Sequence, residues 1–126
     1  MGSSVKRAIC IAGCSGGFSD RQRAISSLAK NCDIDCIIGD WLSECTMTFH
    51  GAQKVENEKL RDEGKLPEDT AGLFDPTFMD NLVPALPYVK SKGIKIAVNA
   101  GASDTGMLAK RVEDEVKRQG LDLKVG

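Results

Sequence analysis

The chain has 126 residues, 41% of them apolar and 28% charged, with a formal net charge of -1 at pH 7, which fits one domain with a modest core spanning residues 1–126. Lysine and arginine are interspersed with acids and the pI is near 5.8, so there is no basic footprint for nucleic acid. No apolar run approaches the roughly 18 to 20 residues of a membrane span, and the expectation is a soluble, cytoplasmic protein with no membrane partner.

Met1-Gly2-Ser3-Ser4 starts like a myristoylation signal, but Lys6 stands where Ser or Thr is required. Lys6 to Ala12 reads as a buried strand, nearly continuous in apolar residues, and empties into Gly13-Cys14-Ser15-Gly16-Gly17. Ser19 or Asp20 then caps a helix running to about Lys30. Strand, turn and helix start together form a site for an anionic group, because the first N–H groups of a helix lack partners and the dipole adds positive charge. A second strand, Cys36 to Gly39, ends at Asp40-Trp41 and completes a βαβ unit of about 35 residues.

A second helix is predicted from about Leu42 to Gly64, its first half buried through Leu42, Cys45, Met47, Thr48 and Phe49 and its second half solvated. Residues 64–72 are polar, contain Pro67 and Gly72, and read as a binding loop or lid. Asp75-Pro76-Thr77 starts further helix, and Pro84 and Pro87 break it into a kinked rod or two short helices. A third strand, Ile94 to Val98, closes in Asn99-Ala100-Gly101. A last helix runs from about Thr105 to Arg118, capped by Ser103 or Asp104 and ended by Gly120. Leu121 to Val125 opens a stretch that reads as a fourth strand.

This order gives an α/β fold, an open parallel Rossmann-like sheet of three to four strands with helices on both faces. Ligands in such sheets sit beyond the carboxyl ends of the strands. Gly13, Ser15, Gly16 and Gly17 after the first strand, Asp40 after the second, and Asn99 and Gly101 after the third are therefore the candidate ligand-binding set. Asp40 and Glu44 are spaced i, i+4 near a helix start, and two close carboxyls push their pKa values apart, which suits acid–base catalysis. The structural alternative is that Asp40 caps the helix and Glu44 complements its dipole.

Other motifs point less far. Gly13-Cys14-Ser15-Gly16-Gly17 formally satisfies the G-x-S-x-G elbow of serine hydrolases, but His50 is the sole histidine and lies only ten residues beyond Asp40. The spacing G-x-x-G-G is not the dinucleotide fingerprint, although an acid ends strand two, which keeps a nicotinamide-dependent oxidoreductase as an alternative. No Gly-Lys-Ser/Thr follows, excluding a P-loop. The five cysteines form an odd set without a second ligand pair, arguing for reduced thiols and no metal site. Cys10 reads as a small packing residue, Cys14 as a conceivable helix-activated thiol, Trp41 as core and His50 as structural.

Three blocks, Ile11 to Asp20, Asp35 to Met47 with its Asp40-Trp41-Leu42-Ser43-Glu44-Cys45-Thr46-Met47 core, and Gly93 to Gly101, resemble the N-terminal domain of acyclic terpene utilisation (AtuA-like) proteins. The resemblance covers about Lys6 to Val125. It implies a Rossmann-like domain whose glycine turn, Asp40, Glu44 and Asn99-Gly101 share a cleft. It also implies a role in branched-acid or terpene catabolism, with a CoA thioester as the small-molecule substrate. Family members are several times longer, so a partial domain is expected, which leaves room for a homo-oligomer or a missing partner chain. The alternative from another class is a non-catalytic truncated remnant or interaction module.

Overall fold

The computed structural model describes residues 7–16, 21–67 and 73–126. Three parallel strands, β1 (Ile11–Gly16), β2 (Cys36–Asp40) and β3 (Lys95–Val98), lie side by side in that order. The helices are α1 (Ala24–Asn31), α2 (Glu44–Asp62), α3 (Pro76–Leu82), α4 (Leu86–Lys92) and α5 (Thr105–Arg118), with a 3₁₀ turn, Val83–Ala85, between α3 and α4. The expected α/β architecture with an open parallel sheet is present.

Register aligns Ile11 with Cys36 and Lys95, Ala12 with Ile37 and Ile96, and Gly13 with Ile38 and Ala97. Alternate residues of a strand point to opposite faces, and here the two faces meet different fates. Cys14 and Ile37 are fully buried and Ile96 and Val98 pack against the core, which is completed by Ile25, Phe78, Leu86, Val89, Leu108 and Val116 from the helices. On the other face Ile11 and Ile38 remain 59% and 48% exposed, and Gly13, Lys95 and Ala97 are exposed too. Two successive right-handed crossovers that step in the same direction put their helices on the same side, and α1 packs against α3, the 3₁₀ turn and α4. Of the two helix layers expected, the described residues supply one.

Local chemistry sets most boundaries where the sequence put them. Asp75 caps α3 by accepting from Thr77 N–H, with Pro76 at its first position. Pro84 and Pro87 divide the chain after α3 into the 3₁₀ turn and α4, and Gly93 ends α4 at φ 66°. Asp104, not Ser103, caps α5 through Met107 N–H.

Four expectations need correction. β1 does not yield to a glycine turn at Gly13: Gly13, Cys14, Ser15 and Gly16 continue the strand, with a register shift between Gly13 and Gly16, because β2 extends to Asp40 and offers a partner that far. Cys10 is exposed rather than packed. The first half of α2 is not buried, since Cys45, Met47 and Phe49 are all exposed. Leu121 to Val125 forms no strand, although Leu121, Leu123 and Val125 pack on the core. Gly17, the Ser19 or Asp20 cap and residues 68–72 of the predicted loop lie outside the described residues.

Candidate functional site at the strand ends

The carboxyl ends of the three strands are tied together by side chains that the sequence singled out. Ser15 Oγ at the end of β1 donates to the backbone carbonyl of Asp40 at 2.8 Å. Asn99, just past β3, bridges in both directions: its Nδ2 donates to Asp40 Oδ1 at 2.6 Å and its Oδ1 accepts from Trp41 N–H at 2.7 Å. Asp40 Oδ1 also accepts from Leu42 N–H at 3.1 Å. One amide side chain therefore fixes the end of β2 to the end of β3 and presents a donor to the Asp40 carboxylate.

That arrangement has an electrostatic consequence. The Asn99 amide first, and the Leu42 N–H second, hold the Asp40 carboxyl below the usual carboxylate range, because hydrogen bonds to the charged form favour it. Asp40 is thus an exposed, ionised acceptor at neutral pH.

Packing beneath the cluster is close. Trp41 is 1% exposed and meets Phe78 edge-on, with ring centroids 5.2 Å apart. Its Nε1–H meets no acceptor among the described residues. A Cβ on Gly39 would stand 2.2 Å from the Trp41 ring and 2.7 Å from Cys14 Sγ, so only glycine fits there. Cys14 is a packing residue of this layer, and burial pushes its thiol up to about 11. This is the reverse of an activated nucleophile.

The remaining predicted residues divide. Gly16 pairs with Asp40 at the sheet's end. Gly13 lies lower in β1 on the exposed face. Glu44 begins α2 and is exposed, one residue after the Ser43 N-cap, whose hydroxyl and backbone exchange hydrogen bonds with Thr46 in a capping box. Neither oxygen of Glu44 meets Asp40 in a hydrogen bond, so the two carboxyls flank the α2 start as separate groups. Gly101 is buried against Thr105, where a Cβ would stand 2.5 Å from the Thr105 methyl.

Sequence reasoning missed the loop after β3 as an organising element. Ala102 adopts φ 47°, a left-handed conformation that few non-glycine residues take. Ser103 then donates from N–H and Oγ to Leu73 O and from Oγ to His50 O, while its own carbonyl accepts from Lys54 Nζ at 3.0 Å. This loop anchors α2 beyond the strand ends. The signal in the sequence was only a short polar run, equally suited to a simple helix cap.

A groove of about 630 Å³ lies elsewhere, along the edge of β3, lined by Leu86, Ile96, Val98, Leu108, Val112 and Leu123 among others. Gly101 reaches it; Ser15, Asp40 and Asn99 do not.

An open parallel sheet with polar side chains gathered at its carboxyl ends defines an α/β domain of the Rossmann-like kind. The family model for the acyclic terpene utilisation family protein AtuA matches residues 9–126. The chain belongs to that family. No curated protein and no solved structure matches it. Among the described residues no helix is long and apolar enough to cross a membrane.

Proposed function

We propose that this domain binds an acyl-CoA or another phosphate-bearing small molecule at its strand ends and serves acid–base chemistry in branched-acid, terpene or secondary metabolism. The reading rests on one observation above the others: Ser15, Asp40 and Asn99, from three different strand ends, form one hydrogen-bonded cluster at the position where such sheets take ligands. Asp40, held ionised by Asn99, is a fixed acceptor for a proton-bearing group of the ligand, and the hydrogen bonds that lower its pKa make it a weak base until the ligand displaces them. Glu44, exposed in the first turn of α2, is the second carboxyl.

Support for the anionic group comes from α1. Its N-terminus has no side-chain cap among the described residues, and Arg21 and Arg23 stand exposed just before it, so both the dipole and two guanidinium groups favour a phosphate there. Ser15 and Gly16 end the strand that precedes that helix in the chain. Five free thiols agree with a reducing, cytoplasmic setting.

Isothermal titration of the chain with CoA, short branched acyl-CoA thioesters and NADH tests the proposal. Heat with the thioesters is expected, reduced in Arg21→Ala/Arg23→Ala through lost phosphate contacts and changed in Asp40→Asn. Absence of heat with every thioester overturns it, and heat with NADH alone would move the site to the oxidoreductase class.

A further inference from the structure

A pocket of about 380 Å³ lies between the start of α1 and α3. Thr77, Asp80, Asn81 and Pro84 line it at spacing i, i+3, i+4 and i+7, so one stripe of α3 and the 3₁₀ turn faces it, and Gln22, Arg23 and Ser26 line it from the other side. Gln22, Arg23 and Asp80 are exposed and form its rim, whereas Asn81 is only 1% exposed and lies at its floor. The Asn81 amide is half satisfied. Its Nδ2 donates back to Thr77 O at 3.0 Å, and the planar amide therefore turns Oδ1 away from its own helix, where it meets no donor among the described residues. A buried acceptor without a donor opposes folding and calls for a partner that the chain does not itself supply.

The α1 side of the pocket has the opposite need. The N–H groups of Ile25 and Ser26 enter no hydrogen bond among the described residues, and the Ser26 hydroxyl is turned back on Arg23 O. Arg21 and Arg23 stand before a helix end that already carries partial positive charge, its first turn holds no acid, and among the described residues neither arginine is in an ion pair. We infer that this pocket takes a phosphate monoester whose organic part carries a hydroxyl group, as a sugar phosphate does, with the phosphate on the Ile25 and Ser26 N–H groups beside Arg23 and the hydroxyl donating to Asn81 Oδ1. The inference rests on the reading of the α1 start as an anion site and adds what the ligand carries beyond its phosphate. Asp80 on the opposite rim fixes the direction: its carboxylate repels a second anionic group on the α3 side and accepts from a further hydroxyl. Phosphate suits the α1 end better than a carboxylate, because its terminal oxygens can take both N–H groups and a guanidinium together.

Amide NMR and titration calorimetry of the full chain with ribose phosphate, inorganic phosphate, ribose and free glycine test it. Ribose phosphate is expected to shift the Ile25 and Ser26 backbone signals and the Asn81 side-chain amide, and to bind more tightly than the other three. Asn81→Leu, which removes the unpartnered acceptor and keeps the side chain's bulk, should weaken ribose phosphate about tenfold and leave inorganic phosphate unchanged. Arg23→Ala, an exposed change, should weaken both. If Asn81→Leu disturbs the fold, the Asn81 side-chain shift in the unaltered chain carries the same test, and its failure to move overturns the inference. So does the absence of ribose phosphate binding, or equal binding of ribose phosphate and inorganic phosphate, which would reduce the pocket to a simple anion site. Tighter binding of glycine overturns it in favour of a zwitterion. Thioester heat that persists where ribose phosphate fails ends this inference and leaves the strand-end reading standing; ribose phosphate binding without thioester heat does the reverse.

Discussion

The two longest helices, α5 and α2, have amphipathic sequences, yet they use them in opposite senses. In α5 the apolar residues Met107, Leu108, Val112 and Val116 point into the core, and Lys110, Arg111, Glu113 and Asp114 face water. In α2 the apolar residues face out and Asn57, His50 and Lys54 face in. α5 comes directly after β3 and can lie back across the sheet's covered face, so its stripe finds a partner immediately. α2 leaves the end of β2 and is moored by hydrogen bonds to the loop after β3, which satisfy polar groups and leave the apolar stripe without a surface in the monomer. A hydrophobic pattern fixes which residues need cover; it does not say where the cover is.

Truncation in both stripes should separate the two helices most. Leu108→Ala in α5 removes a core side chain and should destabilise the chain by about 2–4 kcal/mol, whereas Val55→Ala in α2 should change monomer stability by less than about 0.5 kcal/mol. Urea denaturation at low protein concentration measures both, and equal losses would show that α2 is packed like α5.

Capping gives a smaller and more informative contrast. Asp104 caps α5 and Ser43 caps α2, and each change to Ala should cost its helix about 1 kcal/mol. For α5 the loss should lower the global melting temperature, since that helix is part of the core. For α2 it should show chiefly as faster amide hydrogen exchange within residues 44–62, with little shift in melting.

Smallest are the titrations, which set the α2 start against the α5 end. Hydrogen bonds from Arg118 and Gln119 hold Glu115 at about 2, and those from Asn99 and Leu42 hold Asp40 below the ordinary range. Both folded values are depressed, so the stability they contribute is complete above the ordinary carboxylate pKa and is lost as pH falls through the folded value. Asn99→Leu should raise the Asp40 midpoint toward the usual range in a carboxyl NMR titration and leave Glu115 unchanged. An unmoved Asp40 midpoint would mean that Asn99 does not set its charge.

The features legible in the sequence were local. Alternation of apolar runs with helical periods, prolines at 76, 84 and 87 and glycines at 93 and 120 located β2, β3, α3, α4 and α5 closely, because backbone sterics and capping act over a few residues. The gathering of Ser15, Asp40 and Asn99 was also foreseeable, since parallel strands bring their carboxyl ends to one edge. The glycines of β1 misled, because Gly13-Cys14-Ser15 reads as a turn unless one knows that β2 runs on beside it. The loop at Ala102-Ser103 gave no warning, its role being to hold two elements distant in sequence.

Three decisions belonged to tertiary structure. Which face of the sheet is covered depended on both crossovers stepping the same way. Whether Cys14 was a reactive thiol or a buried one depended on Trp41 and Gly39 closing over it. Whether the apolar residues of α2 point inward or outward depended on where its polar side found partners. The order of residues alone specified β2, β3, the helices, the family and the chemical groups at the strand ends, because these depend on spacing along the chain. Burial is a property of what lies across from a residue, and only the fold supplies that.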